Sequence, residues 1–142
     1  MGDQSKLGEV AGRDTLFGVV AAPPAADARE VGATAVGCAG APGVVEGIAR
    51  VIFSPAEWDQ IQPGDILVCP MTDATWTPLF GLLKAVVTDA GGLLAHPAIV
   101  SREYGIPAVC GCQDATAKIK TGDKIRVDGN LLRVYVLEKG NG

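Results

Sequence analysis

Short runs of β-branched residues, each closed by glycine, proline or a charged residue, form the hydrophobic pattern of the chain from about residue 36 onward. In VGCAGAPGVVEGIARVIFS the apolar residues are interrupted by glycines, which predicts strands with a bulge or a tight turn. The runs DILVC (65–69) and KAVVTD (84–89) are short and almost wholly apolar, which is typical of strands buried in a protein interior. These segments predict the first strands of a buried sheet.

Two segments beside these strands predict helices. TPLFGLLKA lies between the two buried runs, with Thr77 as the predicted N-cap and Pro78 at the first helical position. HPAIVSREYG follows the second run, with Pro97 at its start, apolar residues at helical spacing and Gly105 as the predicted stop. The strand IPAVC and a short helical turn near DATAKI come next, and KIRVD and LLRVYVL flank DGN as the strands of a hairpin would. We therefore expect an α/β domain with both crossover connections and hairpins.

Residues 1–35 differ in composition and hydrophobic pattern from the rest of the chain. They are rich in alanine, glycine, proline and charge and show no sustained apolar period, so we predict a flexible linker or tail there. The folded domain is placed at residues 36–142. A total of 142 residues corresponds to about one domain by the usual length relation.

Composition and charge narrow the range of partners. The net charge is −4 and the chain has no basic run, so nucleic acid is not an expected partner. No apolar stretch approaches the roughly 20 residues that span a bilayer, and the first residues lack the profile of a signal peptide, so we expect a cytoplasmic protein without a membrane partner. The four cysteines lack paired CxxC spacing, and Cys69 and Cys110 lie in the apolar runs ILVC and PAVC, where a free cysteine usually acts as a small core residue, so no metal is expected.

His96 is the only histidine of the chain, and it follows the glycine pair Gly91 and Gly92. Adjacent glycines allow positive φ and a close approach of the backbone to a ligand. With His96 at or beside the N-cap of the predicted helix, free N–H groups of the loop and the first turn would face the same space, which favours an anion. A neutral imidazole that becomes phosphorylated fits this setting better than a metal ligand or a protease-type triad, which both need further partners. A surface histidine with only a structural role fits the local pattern as well.

The order of motifs resembles the mobile, swivelling domain that carries the phosphohistidine in phosphoenolpyruvate-utilising enzymes. That family includes phosphoenolpyruvate synthase, pyruvate phosphate dikinase, rifampicin phosphotransferase and phenylphosphate synthase. VVTDAGGLLAHPAIVSREYGIPAVCG resembles the phosphohistidine segment, GAPGVVEGIARVI and GDILVCPMTDATWTPLF resemble the segments before it, and ATAKIKTGDKIRVDGNLLRVYVL resembles the closing hairpin. The resemblance covers about residues 36–137 and implies a three-layer β/β/α swivelling domain.

A role as phosphoryl carrier is what the resemblance implies. His96 would accept a phosphoryl group derived from ATP at a separate ATP-grasp domain or subunit and pass it to an acceptor such as pyruvate or another small molecule. Gly91 and Gly92 match the glycine pair beside the phosphate. Mg-ATP would be bound by the partner, and no cofactor by this domain, which would be inactive without that partner. Candidate supporting residues, each of which also fits a purely structural role, are Thr72, Asp73, Thr77, Arg102 and Glu103.

Three residues around the histidine depart from the family pattern. Ala95 stands where many members carry serine, threonine or cysteine, Leu94 where the regulated dikinases carry threonine, and Pro97 where alanine is common. Ala95 and Pro97 support an alternative function, a noncatalytic docking or regulatory module that retains the swivelling fold. A swivelling subunit of a dehydratase would share the layered fold, but it gives no reason for the histidine loop.

Overall fold

A computed structural model describes residues 20–21 and 32–140 of the chain, and these contain nine strands, two 3₁₀ helices and two α-helices. The strands are β1 (Val20–Ala21), β2 (Ala35–Val36), β3 (Ala39–Ala41), β4 (Val44–Val51), β5 (Ile66–Cys69), β6 (Ala85–Thr88), β7 (Ala108–Cys110), β8 (Lys124–Asp128) and β9 (Arg133–Glu138). The helices are the first 3₁₀ helix (Pro55–Gln60), the second 3₁₀ helix (Ala74–Leu82), α1 (His96–Tyr104) and α2 (Ala115–Lys118).

The strands form one continuous, curled sheet in the spatial order β1-β3-β7-β6-β5-β4-β8-β9-β2. Strands β4 to β7 run parallel and are joined by crossovers that contain the helices, whereas β8 and β9 form the predicted antiparallel hairpin. The long strand β4 turns the corner, because residues 44–48 pair with β8 and residues 49–51 pair with β5. The curl brings β2, at one end of the sheet, close to β3 and β7 near the other end. Between β2 and β3, the Gly37 N–H donates to Leu132 O at 2.9 Å and the Cys38 N–H donates to Cys110 O at 2.8 Å.

Both faces of the central strands are buried, which explains their unbroken apolar sequences. In β5, Ile66 and Val68 pack into a core between the two halves of the curled sheet, while Leu67 packs into a second core beneath the helices. Alternate side chains of one strand thus pack into two different cores, because successive side chains of a strand point to opposite faces of the sheet. The result is the three-layer β/β/α arrangement expected from the sequence, with the central strands as the middle layer.

The segment before β6 corrects one prediction. It forms a 3₁₀ helix that begins at Ala74, not an α-helix capped by Thr77. Asp73 is the N-cap, and its carboxylate accepts the Thr75 N–H at 2.9 Å. Pro78 falls inside this helix, where its missing N–H and its ring are incompatible with an uninterrupted α-helix.

Helix α1 confirms the helix predicted around His96. It ends at Gly105, which adopts the left-handed conformation with φ 71°. Its N-cap is Ala95, which offers no side-chain hydrogen bond, so His96 is the first helical residue. Pro97 is the second helical residue, one position later than the first helical position predicted for it, and still within the first turn.

The predicted tail falls mostly outside the described residues, since only residues 20–21 and 32–35 of its 35 positions are described. Val20 and Ala21 form β1, which pairs with β3. Among the described residues, no helix is long and apolar enough to cross a membrane.

Candidate functional site

The site lies where two loops leave the carboxyl ends of β5 and β6. Because these strands are parallel neighbours, the loops that follow them emerge at the same edge of the sheet. The loops are joined by backbone hydrogen bonds, from the Asp89 N–H to Cys69 O at 3.1 Å and from the Ala90 N–H to Pro70 O at 3.0 Å. This pairing brings Thr72 of the first loop next to the start of α1.

The imidazole of His96 is hydrogen-bonded at both ring nitrogens. Nδ1 lies 2.6 Å from the Thr72 hydroxyl, and Nε2 lies 3.0 Å from the Thr77 hydroxyl. The Phe80 ring packs edge-to-face against the imidazole with a centroid separation of 5.8 Å. Contacts from three side chains therefore fix the orientation of a ring that is itself half-buried.

The two threonines differ in exposure, and this distinguishes the two nitrogens. Thr72 is 3% exposed and holds Nδ1 from the protein interior, whereas Thr77 at Nε2 is half-buried. A neutral imidazole has one N–H and one lone pair, and a hydroxyl can donate to or accept from either. When Nδ1 carries the proton it donates to Thr72, and the lone pair of Nε2 faces the more open side. In this tautomer Nε2 accepts a hydrogen bond from the Thr77 hydroxyl, so a reactant would reach Nε2 only after Thr77 moves aside.

The glycine loop before α1 offers free backbone donors. Gly91 has a φ of +115°, a conformation that favours glycine, whereas a Cβ added there would make only ordinary contacts, at 3.4 Å from Met71 Sδ. The Ala95 N–H donates to Gly92 O at 3.1 Å and closes the turn. The N–H groups of residues 92–94 make no hydrogen bond within the described part of the chain. Such donors beside a helix N-terminus are suited to an anion.

Of the three remaining candidate residues, Arg102 bonds to the loop, whereas Asp73 and Glu103 make no hydrogen bond to His96. Asp73 accepts hydrogen bonds from the hydroxyl and the N–H of Thr75, which hold the pKa of Asp73 below its usual value, so its carboxylate serves as a helix cap. Glu103 is exposed on α1. Arg102 turns back toward the loop and donates to Leu93 O at 2.6 Å.

Phe80 is a site residue that the sequence did not reveal. It belongs to the second 3₁₀ helix, where three residues complete a turn and side chains three apart lie on the same face. Thr77 and Phe80 therefore both face His96. If this segment had been recognised as a 3₁₀ helix from the sequence, Thr77 and Phe80 would have been predicted to lie on the same face.

All four cysteines are free thiols; Cys69 and Cys110 are buried core residues, as predicted, and Cys112 is buried as well. Burial raises the pKa of Cys110 to about 11 and also raises those of Cys69 and Cys112. Only Cys38 is exposed, and its thiol lies 3.6 Å from the carbonyl oxygen of Gly91. Among the described residues, no cluster of histidine, cysteine or carboxylate side chains could hold a metal ion.

The model of one protein family, described as the mobile domain of PEP-utilising enzymes, matches residues 61–131, which is half of the chain. The chain belongs to this family. The resemblance found in the sequence is thereby confirmed, and the chain is a mobile domain of the kind found in phosphoenolpyruvate-utilising enzymes.

Curated relatives agree with the assignment to this mobile-domain family. The chain is 52% identical over 95 residues to a rifampicin phosphotransferase of Bacillus cereus, covering 67% of this chain and 11% of that protein. It is 46% identical over 99 residues to a probable phosphoenolpyruvate synthase of Pyrococcus horikoshii, covering 70% of this chain and 12% of that protein. The chain is 46% identical over 103 residues to an uncharacterized phosphotransferase of Bacillus subtilis, YvkC, covering 72% of this chain and 12% of that protein. This mobile domain thus spans about an eighth of the length of the relatives that it matches.

Proposed function

We propose that this mobile domain is a phosphoryl carrier in which His96 is the phosphorylated residue. The group would derive from ATP at a separate ATP-grasp domain or subunit and pass to an acceptor such as pyruvate or another small molecule. The observation that carries the proposal is the imidazole held by Thr72 and Thr77 at 2.6 and 3.0 Å, beside a loop with unused N–H donors. A histidine with only a structural role does not require either feature.

The transfer step follows from the hydrogen bonds of the ring. With the proton on Nδ1, the lone pair of Nε2 attacks the phosphorus; an N–P bond forms as the P–O bond to the leaving group breaks. The ring keeps its Nδ1 proton and becomes cationic, which strengthens the hydrogen bond to Thr72. Thr77 must first release Nε2, after which its hydroxyl can donate to a phosphoryl oxygen. Transfer to an acceptor oxygen reverses these bond changes.

The partner is proposed to bind Mg-ATP, because the described residues supply a nucleophile and backbone donors but no phosphate-binding lysine motif for a nucleotide. Two observations support a partner at this face. Leu94 is 80% exposed only two residues before His96, and Leu93 and Met71 are also exposed. The relatives are about eight times longer than the matched segment, which leaves room for further domains. Exposed apolar side chains around a reactive group suit a surface that a partner covers during transfer.

The cytoplasm, where ATP is supplied and thiols stay reduced, is the proposed location of the protein.

The decisive experiment measures the intact mass of the 142-residue chain after incubation with Mg-ATP and the nucleotide-binding domain of a relative. We expect one acid-labile, base-stable phosphoryl group, which requires both additions and is absent from the His96→Ala variant. A second arm uses potassium phosphoramidate, which phosphorylates histidine without any partner. Labelling of the His96→Ala chain, or failure of the wild-type chain to be labelled with Mg-ATP and the nucleotide-binding domain, would contradict the carrier function. The phosphoramidate arm shows whether His96 reacts with a phosphoryl donor in the absence of a partner.

The alternative function is a noncatalytic docking or regulatory module. It is favoured by Ala95, which gives α1 no side-chain cap and places no hydroxyl beside His96. The same experiment separates the two functions, because a docking module would bind the nucleotide-binding domain without accepting a phosphoryl group.

A further inference from the structure

Arg102 joins the last turn of α1 to the loop that precedes the helix. Its Nε donates to Ala98 O at 2.9 Å, one turn back along the helix. Its Nη2 donates to Leu93 O at 2.6 Å, in the loop between the glycine pair and Ala95. One guanidinium group therefore connects a rigid element to an exposed one.

The bond to Leu93 O orients a backbone donor as well as an acceptor. In a planar trans peptide the C=O and the following N–H point in opposite directions. Holding Leu93 O against Arg102 thus sets the direction of the Leu94 N–H. The preceding peptide is held in the same manner, because Gly92 O accepts the Ala95 N–H at 3.1 Å and this sets the direction of the Leu93 N–H. Two free donors are oriented by two hydrogen bonds, and one of these comes from Arg102.

The loop has little else to hold it at this point. Residues 92–94 are exposed, and a Cβ added at Gly92 would meet no atom within 4 Å. Within the described part of the chain, Arg102 is the only residue whose side chain bonds to the backbone of residues 92–94. A loop with free N–H donors and few packing contacts depends on such a bond to keep its shape.

We infer that Arg102 is a positioning residue, which holds the peptide between Leu93 and Leu94 so that the Leu94 N–H is aligned for the phosphoryl group on His96. This role rests on the proposed function. Direct contact between Arg102 and the phosphoryl group is the competing role. It would require the guanidinium to give up its bonds to Ala98 O and Leu93 O, both of which are short and charge-assisted.

The test uses the isolated chain and potassium phosphoramidate, so that no partner domain is involved. In this reaction the N–P bond of phosphoramidate breaks, an N–P bond to His96 forms and ammonia leaves. We compare Arg102→Met, Arg102→Lys and, as the matched control, Glu103→Gln, which changes the exposed neighbouring residue on the same helix. The measurements are the loading rate, the thermal unfolding midpoint and the backbone amide signals of residues 92–94 before any phosphoryl group is present.

Arg102→Met should load about tenfold more slowly, equivalent to about 1.4 kcal/mol, and the amide signals of residues 92–94 should already be shifted or broadened in the unphosphorylated protein. Arg102→Lys should be intermediate, because an ammonium group keeps the charge but lacks the two-pronged geometry. Glu103→Gln should match the wild type in all three measurements. If Arg102→Met did not fold, Arg102→Lys would carry the comparison.

Each other outcome overturns the inference in a recognisable way. An unchanged loading rate in Arg102→Met with a lowered unfolding midpoint would show a purely structural role. Slow loading with unchanged amide signals in the unphosphorylated protein would assign Arg102 to direct phosphoryl contact. If the wild-type chain took no phosphoryl group from phosphoramidate, the loading rates would be measured with Mg-ATP and the nucleotide-binding domain. Failure there as well would overturn the proposed function, whereas unchanged amide signals in Arg102→Met would overturn the role of Arg102 in holding the loop.

Discussion

Replacement of Thr72 by valine tests how the protein stabilises a phosphorylated histidine. The two side chains have nearly the same shape, and Thr72 is 3% exposed, so the main change is loss of the hydroxyl that lies 2.6 Å from Nδ1 of His96. In the free protein this is a hydrogen bond between neutral groups. After phosphorylation of Nε2 the ring is cationic, and the same bond becomes charge-assisted.

The magnitude follows from the difference between these two states. A hydrogen bond between neutral groups contributes about 1 kcal/mol net, and one to a charged group about 1.5–3 kcal/mol. Loss of the Thr72 hydroxyl should therefore destabilise the phosphorylated form by about 1 kcal/mol more than the free form, which corresponds to about a fivefold shift in the phosphorylation equilibrium.

Competition between two chains measures this shift directly. Thr72→Val chain and ¹⁵N-labelled wild-type chain are mixed with the nucleotide-binding domain and a limiting amount of phosphoryl donor, and intact mass reports how the group is shared at equilibrium. Thr121→Val is the matched control, since the Thr121 hydroxyl accepts the Val51 N–H at 2.8 Å, in contact with neither His96 nor its loop. Equal sharing between Thr72→Val and wild type would refute the assignment of Thr72 as the partner of the cationic ring.

Three further predictions concern the loop, the thiols and acid stability. Gly91→Ala should lower the free energy of unfolding by about 1–2 kcal/mol because of its positive φ, whereas Gly92→Ala should leave urea unfolding unchanged and slow only phosphoryl transfer. A thiol reagent at neutral pH should modify Cys38 rapidly and the other three thiols only in denaturant, since burial raises the pKa of Cys110 to about 11; rapid native modification of all four would contradict the buried placement. Burial opposes ionisation of Asp123, but hydrogen bonds from two backbone N–H groups and a lysine lower its pKa below the usual value. Its carboxylate therefore stabilises the fold above the unfolded-state pKa of about 3.9, and this contribution is lost as the pH falls. Urea titrations from pH 7 to pH 3 should show a weaker pH dependence for Asp123→Asn than for wild type.

The strands were predicted well from the sequence because a strand that is buried on both faces requires an unbroken apolar run, such as ILVC of β5. The sequence also predicted α1, since Pro97 and Gly105 mark the two ends of the helix by conformational preference alone. The 3₁₀ form of the Ala74–Leu82 helix was missed, because TPLFGLLKA has the composition of an α-helix and the cap, Asp73, lies before it.

The contacts of the site were accessible to sequence reasoning only in part. The likeness to a known family singled out His96, Gly91 and Gly92 together with Thr72 and Thr77, but composition and spacing could not assign one threonine to each ring nitrogen. The bond from Arg102 to Leu93 O depends on the path of the loop. Every residue has a backbone carbonyl, so the residue type at position 93 gives no indication that its carbonyl accepts a side-chain hydrogen bond.

The corner formed by β4 has a consequence for how this domain comes into being on the ribosome. Residues 44–51 pair with β5, which follows closely in the chain, and with β8, which is synthesised some 75 residues later. Similarly, β2 can pair only after its partner β9 has been synthesised. Contacts between such distant segments form late and make folding slow. Residues 61–131, the span of the family match, contain neither β4, which joins the two halves of the sheet, nor β9, which pairs with β8 and β2, so this span on its own cannot complete the sheet. A nascent chain that stops short of residue 138 should thus remain open and sensitive to proteases, and release of β9 from the exit tunnel becomes the event that commits the domain to its native state.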